Sequence, residues 1–300
     1  MKYAFIQRHA GRFRIARQCA VLGVSRSGYY EWRGRGQSRR AAEDGQLLRE
    51  IRAVHAGSRE AYGAFKTWKV LNRAGIVCGK HRVARLRRRH GIEARRKRRF
   101  RVTIEHRQTA APAPNLLERR FAAGVPGSAP DRVWVGDITY IATRAGWLYL
   151  AVLLDLHSRK VVGWAMGGRL TWDLAAAALE MAIEQRRPGA GLLHHTDQGS
   201  QYAATQYQER LSQRGFTASM SRKGNAWDNA VAESFFSNLK NELTHHRDFH
   251  TREQARSEIF DYIEIFYNRQ RAHATLQYMS PLDYESRSNG AQLNCPVNPG

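Results

Sequence analysis

The feature that most constrains this chain is a change of periodicity near residue 131. Beyond it, three apolar runs at 132–141, 147–155 and 159–166 are divided only by Arg144-Ala145-Gly146 and His157-Ser158. Runs of that length joined by short turns predict three antiparallel strands in a meander. A helix is expected over 171–187, stopped by Pro188-Gly189, then an apolar strand from Gly191 into His194-His195-Thr196-Asp197. A helix at 202–214, a strand at 216–220 and a long helix opening near Asp228 follow. Strands first and then alternating helices and strands give an α/β core, a mixed sheet flanked by helices, over 132–286, with 287–300 as a tail.

Upstream the pattern is helical. Ile15, Cys19 and Leu22 recur at helical spacing, Gly23 breaks the run, and Ser25 can cap a second helix through Trp32. Phe65, Trp68 and Leu71 then line a helix stopped at Gly75, and a basic helix runs from about Gly79 to His90, ended by Gly91. Two helix-turn-helix-like segments, about 12–32 and 63–91, are thus expected within an all-helical region 1–107. Four of the eight prolines, Pro112, Pro114, Pro126 and Pro130, cluster with Gly124 and Gly127 in 108–131, which reads as a linker.

Charge divides at the same place. Residues 1–120 hold 31 Lys and Arg against 8 Asp and Glu, whereas 121–300 hold 18 of each, so the net +23 lies wholly upstream. Phosphate neutralisation supplies most non-specific affinity for DNA, and a basic module joined to a neutral one therefore points to nucleic acid. Between Lys80 and Arg101 stand twelve Lys and Arg and one acid, Glu93, while Val83 and Leu86 form a narrow apolar stripe. That leaves Lys80, Arg82, Arg85, Arg88 and Arg89 on the other faces as candidate DNA contacts.

Several classes are excluded. Cys19, Cys78 and Cys295 form no paired spacing, which argues against a disulfide framework or zinc ribbon and fits a reducing cytoplasm. The most apolar stretch, 147–156, contains Asp155 and is half the ~20 residues a membrane span needs. The N-terminus turns basic before any apolar signal region forms, so no secretory leader is read.

Three acids are candidates for chemistry, although each taken singly reads as structural or solvated. Asp137 lies mid-strand on one face with Val135 and Thr139, where a lone carboxylate is costly unless paired or bound to metal. Asp197 follows an apolar strand and precedes Gln198-Gly199-Ser200-Gln201, the kind of strand end where such sheets place ligands. Glu233 lies early on the helix opening at Asp228, and Lys240 falls seven residues on, on the same face. Carboxylates from two strands and a helix can converge on a pair of hard cations, Mg²⁺ or Mn²⁺, that activate one oxygen of a phosphodiester exchange and stabilise the other.

The strings Trp134-Val135-Gly136-Asp137-Ile138-Thr139-Tyr140, His195-Thr196-Asp197-Gln198-Gly199-Ser200-Gln201-Tyr202 and Asp228-Asn229-Ala230-Val231-Ala232-Glu233-Ser234-Phe235-Phe236 resemble the three catalytic motifs of insertion sequence 3 family transposases. Thirty-five residues separate Asp197 from Glu233, the DD35E spacing of that family and of retroviral integrases. Lys240 matches the family's basic residue after the glutamate, and Tyr267-Asn268-Arg269-Gln270-Arg271-Ala272-His273-Ala274-Thr275-Leu276 with Ser280-Pro281 resembles its closing motif. Tyr62-Gly63-Ala64-Phe65-Lys66 departs from the usual Tyr-Gly-aromatic-Arg-Arg.

The resemblance implies a ribonuclease H-like catalytic core preceded by helical DNA-binding modules, with two Mg²⁺ ions, replaceable by Mn²⁺, held by Asp137, Asp197 and Glu233. It implies DNA partners, the terminal inverted repeats of a mobile element and a target, and Lys240 as a further DNA contact. A homo-oligomer on DNA, an upstream-frame product as second partner, and a bacterial cytoplasm with nucleoid association are also implied. Two other functions compete: a repressor-like DNA-binding product without strand-transfer activity, and a nuclease that cuts without joining. Among neighbouring residues, His194 reads as structural, His195 as open between site and structure, and Asp155 as a turn or cap residue. Gly224-Asn225-Ala226-Trp227 reads as a loop that DNA could order. Tyr267, Asn268, Arg271 and His273 read as braces from a C-terminal helix begun at Thr251, with Thr251 and Gln254 as its capping box.

Overall fold

The computed structural model describes residues 1–36, 38–95, 113–121, 129–222 and 226–293. Gly224, Asn225, the basic run 96–101 and half of the proline-rich stretch lie outside the described residues. Helices α1 (Lys2–Arg8), α2 (Ile15–Leu22) and α3 (Arg26–Gly34) enclose Ile6, Cys19 and Tyr29. Gly23 leaves α2 through the left-handed region, and the Ser25 hydroxyl accepts the Gly28 amide to cap α3. A second small core of Leu47, Ile51, Leu71, Val83 and Leu86 joins α4 (Arg39–Gly57), α5 (Ala64–Arg73) and α6 (Lys80–Arg89). The 19-residue α4 has no counterpart in the sequence reading. Gly45 interrupts it and charged residues flank its short apolar stripe, so periodicity alone does not mark it.

The strands expected from the apolar runs form as β1 (Val133–Thr143), β2 (Gly146–Asp155) and β3 (Val161–Gly167), an antiparallel meander. β4 (Leu193–Thr196) joins β1 in parallel and β5 (Thr217–Met220) joins β4, giving the order β3-β2-β1-β4-β5. β4 pairs with β1 only at Val133, Trp134 and Val135, which leaves the rest of that β1 edge without a strand partner among the described residues.

Alternation along the strands splits the core into two layers. On one face Trp134, Ala151 and Leu153 meet α7 (Trp172–Arg186) and α9 (Thr205–Gln213). On the other, Val135, Leu150 and Val152 meet α10 (Ala230–Glu242), α11 (Arg252–Phe260) and the π-helical stretch Asp261–Tyr267. The helix read at 202–214 is two: α8 (Ser200–Ala203) and α9, separated by extended backbone at Ala204.

Gly163 on β3 sets how closely α7 approaches the sheet. A Cβ there would stand 2.2 Å from the Ala178 carbonyl oxygen and 2.7 Å from the Ala182 Cβ, so the helix must move to admit it. Overpacking of this kind costs typically 1–3 kcal/mol, and because the clash is with backbone we expect Gly163→Ala to lose about 3 kcal/mol, measured by urea unfolding. A loss under about 1 kcal/mol would mean that α7 slides freely.

Residues 113–121, within the stretch read as linker, lie on this core: Leu117 is buried in its second layer, and the Leu116 amide donates to Ser219 Oγ at 2.9 Å. At the other end Thr251 caps α11 by accepting the Gln254 amide, while the Gln254 side chain accepts from His250 rather than from Thr251. α12 (Pro281–Leu293) is the last element among the described residues and runs through the expected boundary at 286. No helix among the described residues is long and apolar enough to cross a membrane.

Candidate active site

Asp137 sits in the middle of β1, opposite Val152 in the register, on the face that packs against α10. One of its oxygens accepts the Ile138 amide at 2.7 Å. Crowding by protein at the floor of the cleft, and then the negative charge of Asp197, hold the Asp137 carboxyl well above the ordinary aspartate range. Glu233 pushes the same way, and the Ile138 amide and Lys240 oppose.

Asp197 follows β4 and turns the chain into α8, its Oδ1 accepting the Gly199 amide at 3.0 Å. A Cβ at Gly199 would lie 2.9 Å from that same oxygen, so a side chain there would have to displace the Asp197 carboxylate. Glu233 lies in the first turn of α10, exposed at the rim, its pKa raised by partial burial. Lys240, two turns on, is part-buried, and its depressed pKa is partly restored by Asp137. Asp137, Glu233 and Lys240 line one open cleft of about 570 Å³ with Thr139, Tyr140 and Trp147. Asp197 adjoins that cleft through its charge on Asp137 and is not among the residues that line it. No group of three His, Cys, Asp or Glu side chains among the described residues is yet drawn close enough to grip a metal ion. The donor set nevertheless fits a hard cation: the donors are carboxylate oxygens, and the negative charge of Asp197 and Glu233 on Asp137 would be relieved by a cation.

A buried network sets the entry of α10. His195 is fully buried, and burial holds its imidazole neutral. Since the Asp228 carbonyl oxygen can only accept, His195 Nε2–H donates to it at 2.9 Å, and Nδ1 accepts from Ser219 Oγ at 2.9 Å. His195 thus ties β4, β5 and the 3-10 turn Ala226–Asn229 together, a structural duty. The Asp228 carboxylate is fully buried and receives Arg222 at 2.8 Å and Arg119 at 2.6 Å, hydrogen bonds that press its pKa far down. Asn229 donates from Nδ2 to the Gly136 carbonyl at 3.3 Å, beside Asp137. His194, on the other face, meets the Tyr207 hydroxyl at 2.8 Å, and burial lowers its pKa to about 3. Asp155 takes the turn duty expected of it, accepting from the Asp131 amide and from Ser158.

Sequence reading does not single out the role of Asp228. An acid three places before an apolar helical run reads as a cap, and its two arginine partners are remote in sequence.

The basic candidates divide. Arg82 and Arg85 are held by Asp44 at 2.6 and 2.8 Å, whereas Lys80, Arg88 and Arg89 are exposed with no ion-pair partner among the described residues. The departing segment at 62–66 lies against the core: Tyr62 Oη accepts the Ala272 amide at 2.8 Å, and Arg59 covers the rings of Tyr262 and Phe266. The closing motif braces as expected. Asn268 pairs with both backbone groups of Val161, and Arg271 grips Glu242 at the end of α10.

Comparison with known proteins agrees with this arrangement. Residues 127–226 and 233–288 match two integrase core domain families, and residues 42–100 match an HTH-like domain family. The insertion element IS600 uncharacterized 31 kDa protein of Shigella sonnei is 46% identical over 90% of this chain and 97% of its own length. Transposase InsF for insertion sequence IS3A of Escherichia coli (strain K12) is 40% identical over 96% of this chain and 99% of its own. Among solved structures, the catalytic core domain of BIV integrase aligns over 55% of this chain and 99% of that one, at 18% identity and a TM-score of 0.42, a likeness too remote to carry an assignment. Identity at the level of the first two relatives, spanning nearly all of each chain, decides the matter: this chain belongs to the insertion sequence 3 family of transposases, polynucleotidyl transferases with a ribonuclease H-like integrase core behind an HTH-like DNA-binding region.

Proposed function

We propose that this transposase cuts and joins DNA at the ends of an insertion sequence, with Asp137, Asp197 and Glu233 as the metal-binding catalytic carboxylates. The supporting observation is their electrostatic convergence: Asp137 on β1 feels both Asp197 at the end of β4 and Glu233 on α10, although 35 residues part the last two. Oxygen-only donors suit Mg²⁺, with Mn²⁺ as substitute. When bound, a pair of such ions activates the attacking oxygen and stabilises the leaving one.

The chain itself supplies position. The Ile138 and Gly199 amides aim Asp137 and Asp197, and the His195 and Asn229 bonds hold the start of α10, hence Glu233, against β4 and β1. Lys240 adds fixed positive charge in the cleft for a phosphate. The reaction class is hydrolysis of one phosphodiester to expose a 3′-hydroxyl, then direct attack of that hydroxyl on a second phosphodiester.

In this reading 1–107 binds DNA, with Lys80, Arg88 and Arg89 exposed for phosphate and Arg82 and Arg85 available once released from Asp44. Residues 132–286 carry catalysis. Pairing two element ends calls for at least two copies on DNA.

The test is a strand-transfer assay with Mg²⁺ or Mn²⁺ on labelled DNA ends from the element that flanks the gene, comparing wild type with Glu233→Gln. We expect metal-dependent joined products from wild type and none from the variant. Wild type that binds the ends without cutting would favour the repressor-like reading, and cut but unjoined ends would favour a nuclease.

A further inference from the structure

The cleft holds two aromatic side chains that neither core layer uses. Tyr140 on β1 and Trp147 at the start of β2 stand with ring centroids 5.1 Å apart and planes at 86°. Trp147 is 49% exposed, and neither ring belongs to a core cluster of the sheet. An exposed tryptophan on a strand usually earns no comment, but this one lines the same cleft as Asp137 and Glu233. Lys240 Nζ lies 5.4 Å from the Tyr140 ring centroid, so a cation stands at the junction between the aromatic corner and the carboxylates. The backbone holds this corner firmly: Arg252 donates from Nε to the Trp147 carbonyl at 3.0 Å, and the β1–β2 ladder runs unbroken from Trp134 to Thr143. Beyond Val135 the β1 edge has no strand partner among the described residues.

A right-angled pair of rings beside a lysine has the shape and charge of a nucleotide subsite, one open ring face for a base and an ammonium for its phosphate. A paired base within a duplex is covered by its neighbours on both faces and cannot stack there. We propose that Tyr140 and Trp147 form a shelf that stacks one unpaired nucleobase of the DNA strand next to the phosphodiester at the carboxylates. Stacking of this type tolerates any base, so the shelf selects for an opened end and not for a sequence.

The proposal rests on the strand-transfer reading, and the two can fail separately. The probe is full-length protein in Ca²⁺, with duplex DNA of the element end carrying 2-aminopurine either in a two-nucleotide single-stranded overhang or in the same place fully paired. Wild type is expected to quench the unpaired fluorophore on binding and to prefer the overhang by about tenfold in Kd, within the range that base–aromatic stacking gives. Trp147→Ala should abolish the quench and the preference while its affinity for the paired duplex stays the same, and Trp147→Phe should retain both. Tyr140→Leu should lower the quench in part and provides the second variant. Equal quenching in wild type and Trp147→Ala, or no preference for the overhang in wild type, overturns the shelf. Joining activity measured in parallel with Mg²⁺ reports on the strand-transfer reading alone: a wild type that joins ends without quenching the fluorophore sinks the shelf and leaves that reading standing.

Discussion

Asp137→Asn is expected to give a protein that is more stable than wild type in chelator, by on the order of 1 kcal/mol, and at least roughly a thousandfold slower in strand joining. Both effects have one cause. In the metal-free protein the Asp137 carboxylate loses solvent at the cleft floor and faces Asp197 and Glu233, with only the Ile138 amide and Lys240 to offset them. An amide of the same shape keeps the contact with the Ile138 amide and sheds the repulsion. The same amide is a poor ligand for a hard cation, and forfeiting several kcal/mol of charge stabilisation slows the reaction tenfold per 1.36 kcal/mol. Thermal melting with and without Mg²⁺ separates the two. Wild type should gain Tm with Mg²⁺, up to about 2.7 kcal/mol of stabilisation when the ion is at a hundred times its Kd, and the variant should gain little. A variant that melts below wild type in chelator, or that still joins ends, would remove Asp137 from the role proposed for it.

The strand order was legible because its signals are local, apolar runs with short turns, and the three acids proposed for the site stand inside strings of characteristic spacing. The setting of the site was not. Asp228 is gripped by Arg119 across 109 positions and by Asn115 across 113, and no periodicity reports a contact of that range. The stretch that holds both partners is bounded by proline and reads as linker, yet the Leu117 side chain and the Leu116 amide hold it on the core. Tyr140 and Trp147 could have been found, since a three-residue turn at 144–146 brings the residues on either side of it together in a hairpin. Their exposure could not, because alternation marks faces but does not tell which stretch of strand edge a helix leaves bare. In the HTH-like segment the departure of 62–66 from the usual motif was legible, but the use of Tyr62 was not: its hydroxyl accepts the backbone amide of Ala272, a contact across 210 positions.

That contact lies beside the one fully interior ion pair of α10 among the described residues, and there the largest loss of stability is expected. Arg271 meets Glu242 through Nε at 2.8 Å and Nη2 at 2.7 Å, and the Tyr262 hydroxyl donates to the same carboxylate at 2.8 Å. Glu242→Gln leaves the Arg271 guanidinium interior and without its anion, a change that costs about 3–5 kcal/mol when such a pair is broken from one side. Because Glu242 ends α10, the loss should reach Glu233 and lower joining activity along with Tm. Lys66 sharpens the test. Its ammonium lies 4.0 Å from the Tyr62 ring centroid, and burial, with Arg271 adding, lowers its pKa to about 7, while Glu242 pulls the other way. The unfolded chain holds the Lys66 proton up to the ordinary lysine pKa of 10.5, so from pH 7 to about 9, below the range in which the unfolded chain's tyrosines ionise, the unfolded state binds more protons at this group and its contribution to stability rises with pH. The slope approaches about 1.4 kcal/mol per pH unit from this group, and Lys66→Met should flatten it. In Glu242→Gln the opposing anion is gone, the folded-state pKa of Lys66 falls further, and the rise should begin below pH 7. Urea unfolding of the three proteins from pH 6 to about 9 reads all of this, and a wild-type profile that is flat across that window would mean that Lys66 is solvated and the HTH-like segment does not stay docked on the core.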